Sequence, residues 1–194
     1  MTNDVVAALE PVVDALVELG VRYRVGGSVA SSALGVPRST LDVDVAAELG
    51  QDHVVPFVAR LASAYYVDAD MIDDAIRRQA SFNVIHLATM LKVDVFVRKA
   101  RPFEEESFRR VTRRPLDEAP GARVFDITTA EDIVLHKLEW FRIGAEVSER
   151  QWKDVLGVIA VQSGALDVDY LRQWAGELGV RELLERAFVE AAQG

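Results

Sequence analysis

The chain has no cysteine and only three histidines among its 194 residues. The first absence excludes disulfides and thiolate metal sites, and the second, with no clustering of His53, His86 and His136, argues against zinc. No apolar run approaches the roughly 20 residues that a helix needs to cross a bilayer. Met1-Thr2-Asn3-Asp4 carries no basic charge, so no secretory signal is read there and a cytoplasmic location is expected. Basic residues are outnumbered: 22 Lys and Arg stand against 31 Asp and Glu, for a net charge of −9. Such a chain is poorly suited to tight, non-specific binding of nucleic acid. Half of the residues are apolar and 27% are charged, the balance of an ordinary globular protein with a real core.

The acidic surplus is uneven. Between Arg98 and Arg114, seven basic residues (Arg98, Lys99, Arg101, Arg109, Arg110, Arg113, Arg114) face three acidic ones (Glu104, Glu105, Glu106). This is either a solvated strand pair of mixed charge or a surface for an anion.

Hydrophobic periodicity predicts a helix over 3–19 that Pro11 breaks or kinks, and a strand from Val21 to Val25. A short helix follows from Ser28 to Leu34, stopped by Gly35, and then a strand from Leu41 to Ala47. Residues 52–65 read as helical. Residues 81–87 and 91–97 read as two strands around a short turn, with further extended segments over 109–115 and 122–127. Near Asp126 the character changes. Thr128-x-x-Glu131 reads as a capping box opening a helix to about Gly144, and more helices follow at about 148–162, 167–178 and 180–192. The expected fold class is α/β (α+β): a mixed-sheet lobe over 1–126, then a small helical lobe over 127–194, with the active site between them.

Two features carry chemistry. Gly26-Gly27-Ser28 closes an apolar run and opens a helix, where free backbone N–H groups suit phosphate oxygens. Alternatively the glycines serve the turn and Ser28 is an N-cap. Further on, Arg38-Ser39-Thr40-Leu41-Asp42-Val43-Asp44 holds two carboxylates at i and i+2. In a strand these project from one face, while Leu41, Val43 and Val45 point into a core. Lys92-Val93-Asp94-Val95-Phe96-Val97 repeats the pattern, with Asp94 opposite the valines. Adjacent like charges repel unless a cation lies between them, and hard oxygen ligands suit Mg²⁺. If the two strands are neighbours, three carboxylates converge, and two Mg²⁺ ions are expected at them.

Lys137 stands on an otherwise apolar stripe formed by Ile133, Val134, Trp140 and Phe141. It must reach solvent or find an anion such as a triphosphate. Asp154 either orients Lys137 or pairs with Arg150. His136 reads as a packing residue, and Trp140, Phe141 and Trp152 as helix-packing residues or a nucleobase platform.

Together, Gly27-Ser28, Asp42-Val43-Asp44 and Lys92-Val93-Asp94-Val95 resemble the nucleotidyltransferase superfamily of the DNA polymerase β type. Glu131-Asp132-Ile133-Val134-Leu135-His136-Lys137-Leu138 and Arg150-Gln151-Trp152-Lys153-Asp154-Val155 resemble the helical half of abortive-infection (AbiEii-type) and related bacterial nucleotidyltransferases. The resemblance implies Mg²⁺-dependent transfer of a nucleoside monophosphate from an NTP to a hydroxyl, releasing pyrophosphate. It implies that Asp42, Asp44 and Asp94 are catalytic and hold metal, with Asp94 as metal ligand or activator of the acceptor. Gly26, Gly27, Ser28, Arg38, Thr40, Lys137 and Asp154 would bind the nucleotide. The alternative function is a non-catalytic nucleotide- or RNA-binding module, or one component of a toxin–antitoxin pair with a cognate antitoxin as partner. For the enzyme, the acidic balance favours a small, cationic acceptor, with Glu48 and Asp52 as residues to receive it. The basic 98–114 segment favours tRNA or protein instead. No membrane partner is expected.

Overall fold

The computed structural model describes residues 3–40, 42–117 and 121–193. It is a mixed α/β fold. Its contacts divide the chain into two compact units, Met1–Gly26 with Ser39–Ile127, and Gly27–Arg38 with Thr128–Gly194.

The first unit opens with α1 (Asn3–Glu18), which runs unbroken through Pro11. Of the two expected outcomes at Pro11, a break and a kink, the break does not occur. Proline in a helix interior costs about 3 kcal/mol, but Leu9, Val12, Val13 and Leu16 on either side of it are wholly buried. Their burial, at about 1.5–3 kcal/mol per large side chain, outweighs the defect. β1 (Tyr23–Val25) and β2 (Asp42–Ala47) come next, then a short 3₁₀ turn (Gln51–His53) and α3 (Val54–Leu61). The helix predicted to reach residue 65 stops early because Tyr65–Tyr66 is a strand, β3. Tyr65 pairs with His86 across the sheet, and its hydroxyl donates to the Ala8 carbonyl at 2.8 Å. α4 (Ala69–Arg78), β4 (Ser81–His86) and β5 (Lys92–Val97) follow. After them come α5 (Pro102–Arg109), β6 (Val111–Pro115) and β7 (Val124–Thr128).

Among the described residues seven strands form one sheet, ordered β3-β4-β5-β2-β1-β7-β6. β2 runs parallel to β5 and antiparallel to β1, and β4 is antiparallel to β5. Strand alternation sends Val43, Val45, Ala47, Val93 and Val95 to one face, where each is fully buried. Leu41, expected on that face, lies outside the described residues.

The opposite face holds the polar residues of the same strands, and its inner end is closed by α5. There Arg24 is buried, with 2% of its surface exposed. Its Nη2 donates to Glu104 at 2.7 Å, its Nη1 to Ser107 Oγ at 2.5 Å, and its guanidinium lies 4.8 Å from the Phe108 ring centre. Glu104 also accepts from Arg101 at 2.7 Å. α5 therefore stands where the sequence suggested part of a solvated strand pair. Pro102 at its first position and Glu104 and Glu105 in its first turn are ordinary helix-start signals.

The second unit is helical: α2 (Gly27–Leu34), α6 (Ala130–Ile143), α7 (Glu149–Gln162), α8 (Val168–Glu177) and α9 (Arg181–Ala191). The cap of α6 is Thr129, whose side chain accepts from the Asp132 N–H, and not Thr128. Thr128 still belongs to β7, and the cap requires the extended φ of −63° and ψ of 165° found at Thr129. Glu131 reaches instead to the backbone N–H of Asp167 at 3.1 Å. α2 approaches α7 closely because both present glycine. A Cβ on Gly35 would lie 2.8 Å from Val158 N, and one on Gly157 would lie 3.3 Å from Val36 Cγ2.

Replacing Glu104 with alanine leaves a buried guanidinium without its carboxylate. Loss of one partner of a buried pair costs about 3–5 kcal/mol. Urea denaturation should show a stability loss of that size for Glu104→Ala. A loss under about 1 kcal/mol would mean that Arg24 is satisfied without Glu104.

Candidate active site

The polar sheet face of the first unit brings the three predicted carboxylates together. The β2–β5 register sets Asp44 directly opposite Asp94 and Asp42 opposite Lys92. Residues directly opposite lie about 5 Å apart, so the charges of Asp44 and Asp94 act on each other strongly. Two neighbours on this face had no role assigned from the sequence, although alternation places Lys92 on the face of Asp94. Asn83 of β4 lies opposite Asp94 on its other side. Lys92 reaches across the carboxylates, with its Nζ 2.7 Å from Asp94 Oδ2 and 4.0 Å from Asp42 Oδ1. The hydrogen bond to Asp94 raises the Lys92 pKa; burial works against it, and the charges of Asp94, Asp42 and Asp44 add to the rise. The signal for Lys92 lay in plain alternation: it is two residues before Asp94 and shares its face.

Backbone and hydroxyl contacts fix this strand. Gly26 N–H donates to the Asp44 carbonyl at 2.9 Å. Thr40 Oγ1 donates to the Asp42 carbonyl at 3.0 Å, so this predicted nucleotide-binding hydroxyl is engaged at the start of β2. Among the described residues, no three acidic, cysteine or histidine side chains are gathered closely enough to hold a metal ion in the present arrangement.

The second unit assembles the other predicted residues into a charge network. Gly27, in the left-handed region at φ 55°, opens α2, and Ser28 lies in its first turn. Arg38 Nη2 donates to Ser28 Oγ at 2.6 Å. The same guanidinium grips Asp154 of α7 with two bonds, Nε and Nη2 each at 2.8 Å. Lys137 of α6 donates to Asp154 Oδ2 at 2.8 Å and to Gln151 Oε1 at 3.1 Å. The anion that Lys137 needs is thus Asp154, settling the choice against an Arg150 pairing for that carboxylate. The side chains of Lys137 and Asp154 are only 6% and 7% exposed. Burial pushes the Asp154 carboxyl up, but hydrogen bonds from Arg38 and Lys137 outweigh it, and the net shift is below the usual carboxylate value. Arg38 and Asp154 also line an open cavity of about 370 Å³ walled by Val36, Leu156, Gly157 and Ala160. Gln151 was missed because an amide carries no charge pattern.

Phe141 and Trp152 pack with ring centres 5.2 Å apart, Arg186 covers Trp152 at 3.8 Å, and the Trp152 indole donates to Glu190. These contacts make Phe141 and Trp152 helix-packing residues, while Trp140 is about half exposed. Glu48, proposed for a cationic acceptor, is already held by Arg22 and Arg98 at 2.6 and 2.7 Å. Asp52 remains exposed.

No protein-family model matches the chain, and no curated protein is significantly similar to it. Solved structures do share its fold. A solution structure of the antibiotic-resistance factor ANT(2'')-Ia superposes with a TM-score of 0.60 and 15% identity, over 98% of this chain and 100% of that one. ANT(2'')-Ia in complex with adenylyl-2''-tobramycin gives 0.54 and 13%, over 89% and 96%. An antigenic nucleotidyltransferase-like protein from Paracoccidioides brasiliensis gives 0.52 and 14%, over 92% and 90%. The fold is the one these nucleotidyltransferases share. In the described residues no helix is long and apolar enough to cross a membrane.

The Asp154 network has a pH signature. A carboxyl whose folded pKa is depressed adds stability above its unfolded pKa of about 4 and loses it as pH falls through the folded value. Asp154→Asn should therefore be less stable than wild type at pH 5–8, by about 3–5 kcal/mol. The difference should shrink steadily below pH of about 4. A gap that is constant down to pH 2 would show that the Asp154 charge contributes nothing.

Proposed function

We propose that this chain is a nucleotidyltransferase that moves a nucleoside monophosphate from an NTP to a hydroxyl of a small molecule. The observation that carries the reading is the register that sets Asp44 opposite Asp94 with Asp42 on the same face. The shared fold supports it, and so does the type of protein that has that fold. Within the class, the 2.8 Å contact between Lys137 and Asp154 joins the two segments that resemble the AbiEii-type enzymes.

The fold class implies Mg²⁺, and the residues suit it. The donors are three hard carboxylate oxygens on adjacent strands, and the Lys92 ammonium between Asp42 and Asp94 marks where positive charge is stable. Asp42, Asp44 and Asp94 would hold the ion, which when bound neutralises triphosphate charge and polarises the bond to pyrophosphate. The remaining work is done by the chain itself. The Gly27 N–H and the Ser28 hydroxyl supply donors to phosphate oxygens at the start of α2, while the Gly26 N–H is already held by the Asp44 carbonyl. Arg38 adds a forked cation, and Lys137 and Asp154 keep that guanidinium beside Ser28. Thr40 fixes the start of β2 so that Asp42 keeps its direction. Asp94 accepts the hydroxyl proton as the acceptor oxygen bonds to the α-phosphorus. The α–β phosphoanhydride bond breaks, and pyrophosphate leaves with the electron pair.

A small acceptor is favoured because four of the seven basic residues of the 98–114 segment are already engaged. Arg98 pairs with Glu48, Arg101 with Glu104, Arg109 with Glu105 and Glu106, and Arg113 with Asp126. A polyanion must displace these carboxylates before it releases counterions.

The test is pyrophosphate release from each labelled NTP with Mg²⁺ and a cell extract. Asp44→Asn and Asp94→Asn should each lower the rate about 10³-fold, equivalent to about 4 kcal/mol of transition-state stabilisation, while the melting curves show a folded protein. Near-wild-type rates in both variants would overturn the assignment.

The acceptor is tested separately. Reversing Arg109, Arg110, Arg113 and Arg114 to glutamate should leave labelling of a small extract component within about twofold, since no phosphate contact is removed. Loss of label from extract RNA, with NTP binding intact, would instead identify a polyanionic acceptor.

A further inference from the structure

We propose that Lys92 is a built-in counter-ion of the carboxylate face, exchanged for the divalent cation when that cation enters. The inference rests on the reading that Asp42, Asp44 and Asp94 hold metal. Its own basis is geometric. Lys92 lies two residues before Asp94 on β5 and opposite Asp42 on β2, so one ammonium reaches two of the three carboxylates. An ammonium and a divalent cation compete for those carboxylates, because the two like charges repel each other and both are drawn to the same negative charge.

Three features make Lys92 an exchangeable ion and not a structural bolt. Its side chain is 41% exposed, so it has solvent to move into. Its stem has four rotatable carbons and ends in a strongly hydrated point charge, unlike the rigid fork of arginine. The buried charges elsewhere in this unit are built differently: Arg24 is 3% exposed at the side chain and sealed against Glu104 and Phe108.

Two properties follow. In the metal-free protein Lys92 relieves the repulsion among Asp42, Asp44 and Asp94. For the entering ion it is a competitor, so the chain holds its metal more weakly than three carboxylates alone would. Lys92 is thus a residue that sets cation affinity, and it favours release of the ion between turnovers.

The experiment is calorimetric titration with Mn²⁺ alone, using wild type, Lys92→Met, Lys92→Arg and Asp44→Asn, with a thermal melt of each protein with and without Mn²⁺. Lys92→Met should bind Mn²⁺ at least about tenfold more tightly than wild type. Its metal-free melt should be lower than that of wild type, and its rise on adding Mn²⁺ larger. Lys92→Arg keeps the charge and should bind no more tightly than wild type. Asp44→Asn should bind weakly or not at all. Equal or weaker binding by Lys92→Met, with wild type binding and Asp44→Asn not, overturns the counter-ion role and leaves the metal reading standing. Absence of binding in wild type and Lys92→Met alike overturns both. If Lys92→Met does not fold, Lys92→Gln takes its place under the same criteria.

Discussion

Three carboxylates on one face of a sheet dominate the physics of the first unit. The arrangement is held by the cost of changing it. Val43, Val45, Val93 and Val95 are fully buried on the other face. A slip of either strand by one residue would bring aspartates into that core and valines to the polar face. The hydrophobic core thus fixes the register, and the register compels the carboxylates to face one another. The chain accepts a local repulsion because relieving it by refolding would be worse.

The second unit meets the opposite problem, a carboxylate removed from water. Asp154 is tolerable there because two cations converge on it: the Arg38 guanidinium, through two nitrogens, and the Lys137 ammonium of α6. Two cations around one carboxylate leave a positive surplus. Arg38 extends that surplus to Ser28, whose hydroxyl it meets at 2.6 Å. A site for an anion built this way has its cation already oriented, so little side-chain freedom is lost when a phosphate arrives. The close approach of α2 and α7 makes the geometry possible, and it depends on Gly35 and Gly157.

These two features were legible in the sequence to different degrees. Alternation located the strands, the shared face of Asp42 and Asp44, and the matching position of Asp94, because a buried valine face writes its period directly into the chain. The pairing of β2 with β5 was assumed, not read; strand adjacency is a long-range property that no local period encodes. The same alternation places Lys92 on the face of Asp94, but its reach to Asp42 depends on the β2–β5 register and could not be read. Lys137 was conspicuous because a charge interrupted an apolar stripe. Its partners lay 14 and 17 residues away on another helix, where spacing rules do not reach.

The misread elements share one cause. Pro11, the end of α3, β3 and α5 were judged from local preference, and tertiary burial decided each differently. α1 tolerates its proline because Leu9, Val12 and Val13 are sealed in the core. Tyr65 leaves the helical pattern because its ring is buried and its hydroxyl finds the Ala8 carbonyl. In α5 the acidic run looked like surface, yet Glu104 is drawn inward by Arg24, a residue 80 positions earlier. A carboxylate enters a core only where a cation already waits for it. Most charge in this chain marks surface, but Arg24, Glu104, Glu131, Asp132 and Lys137 are buried, and a charge run cannot be assigned to solvent until its long-range partner is known.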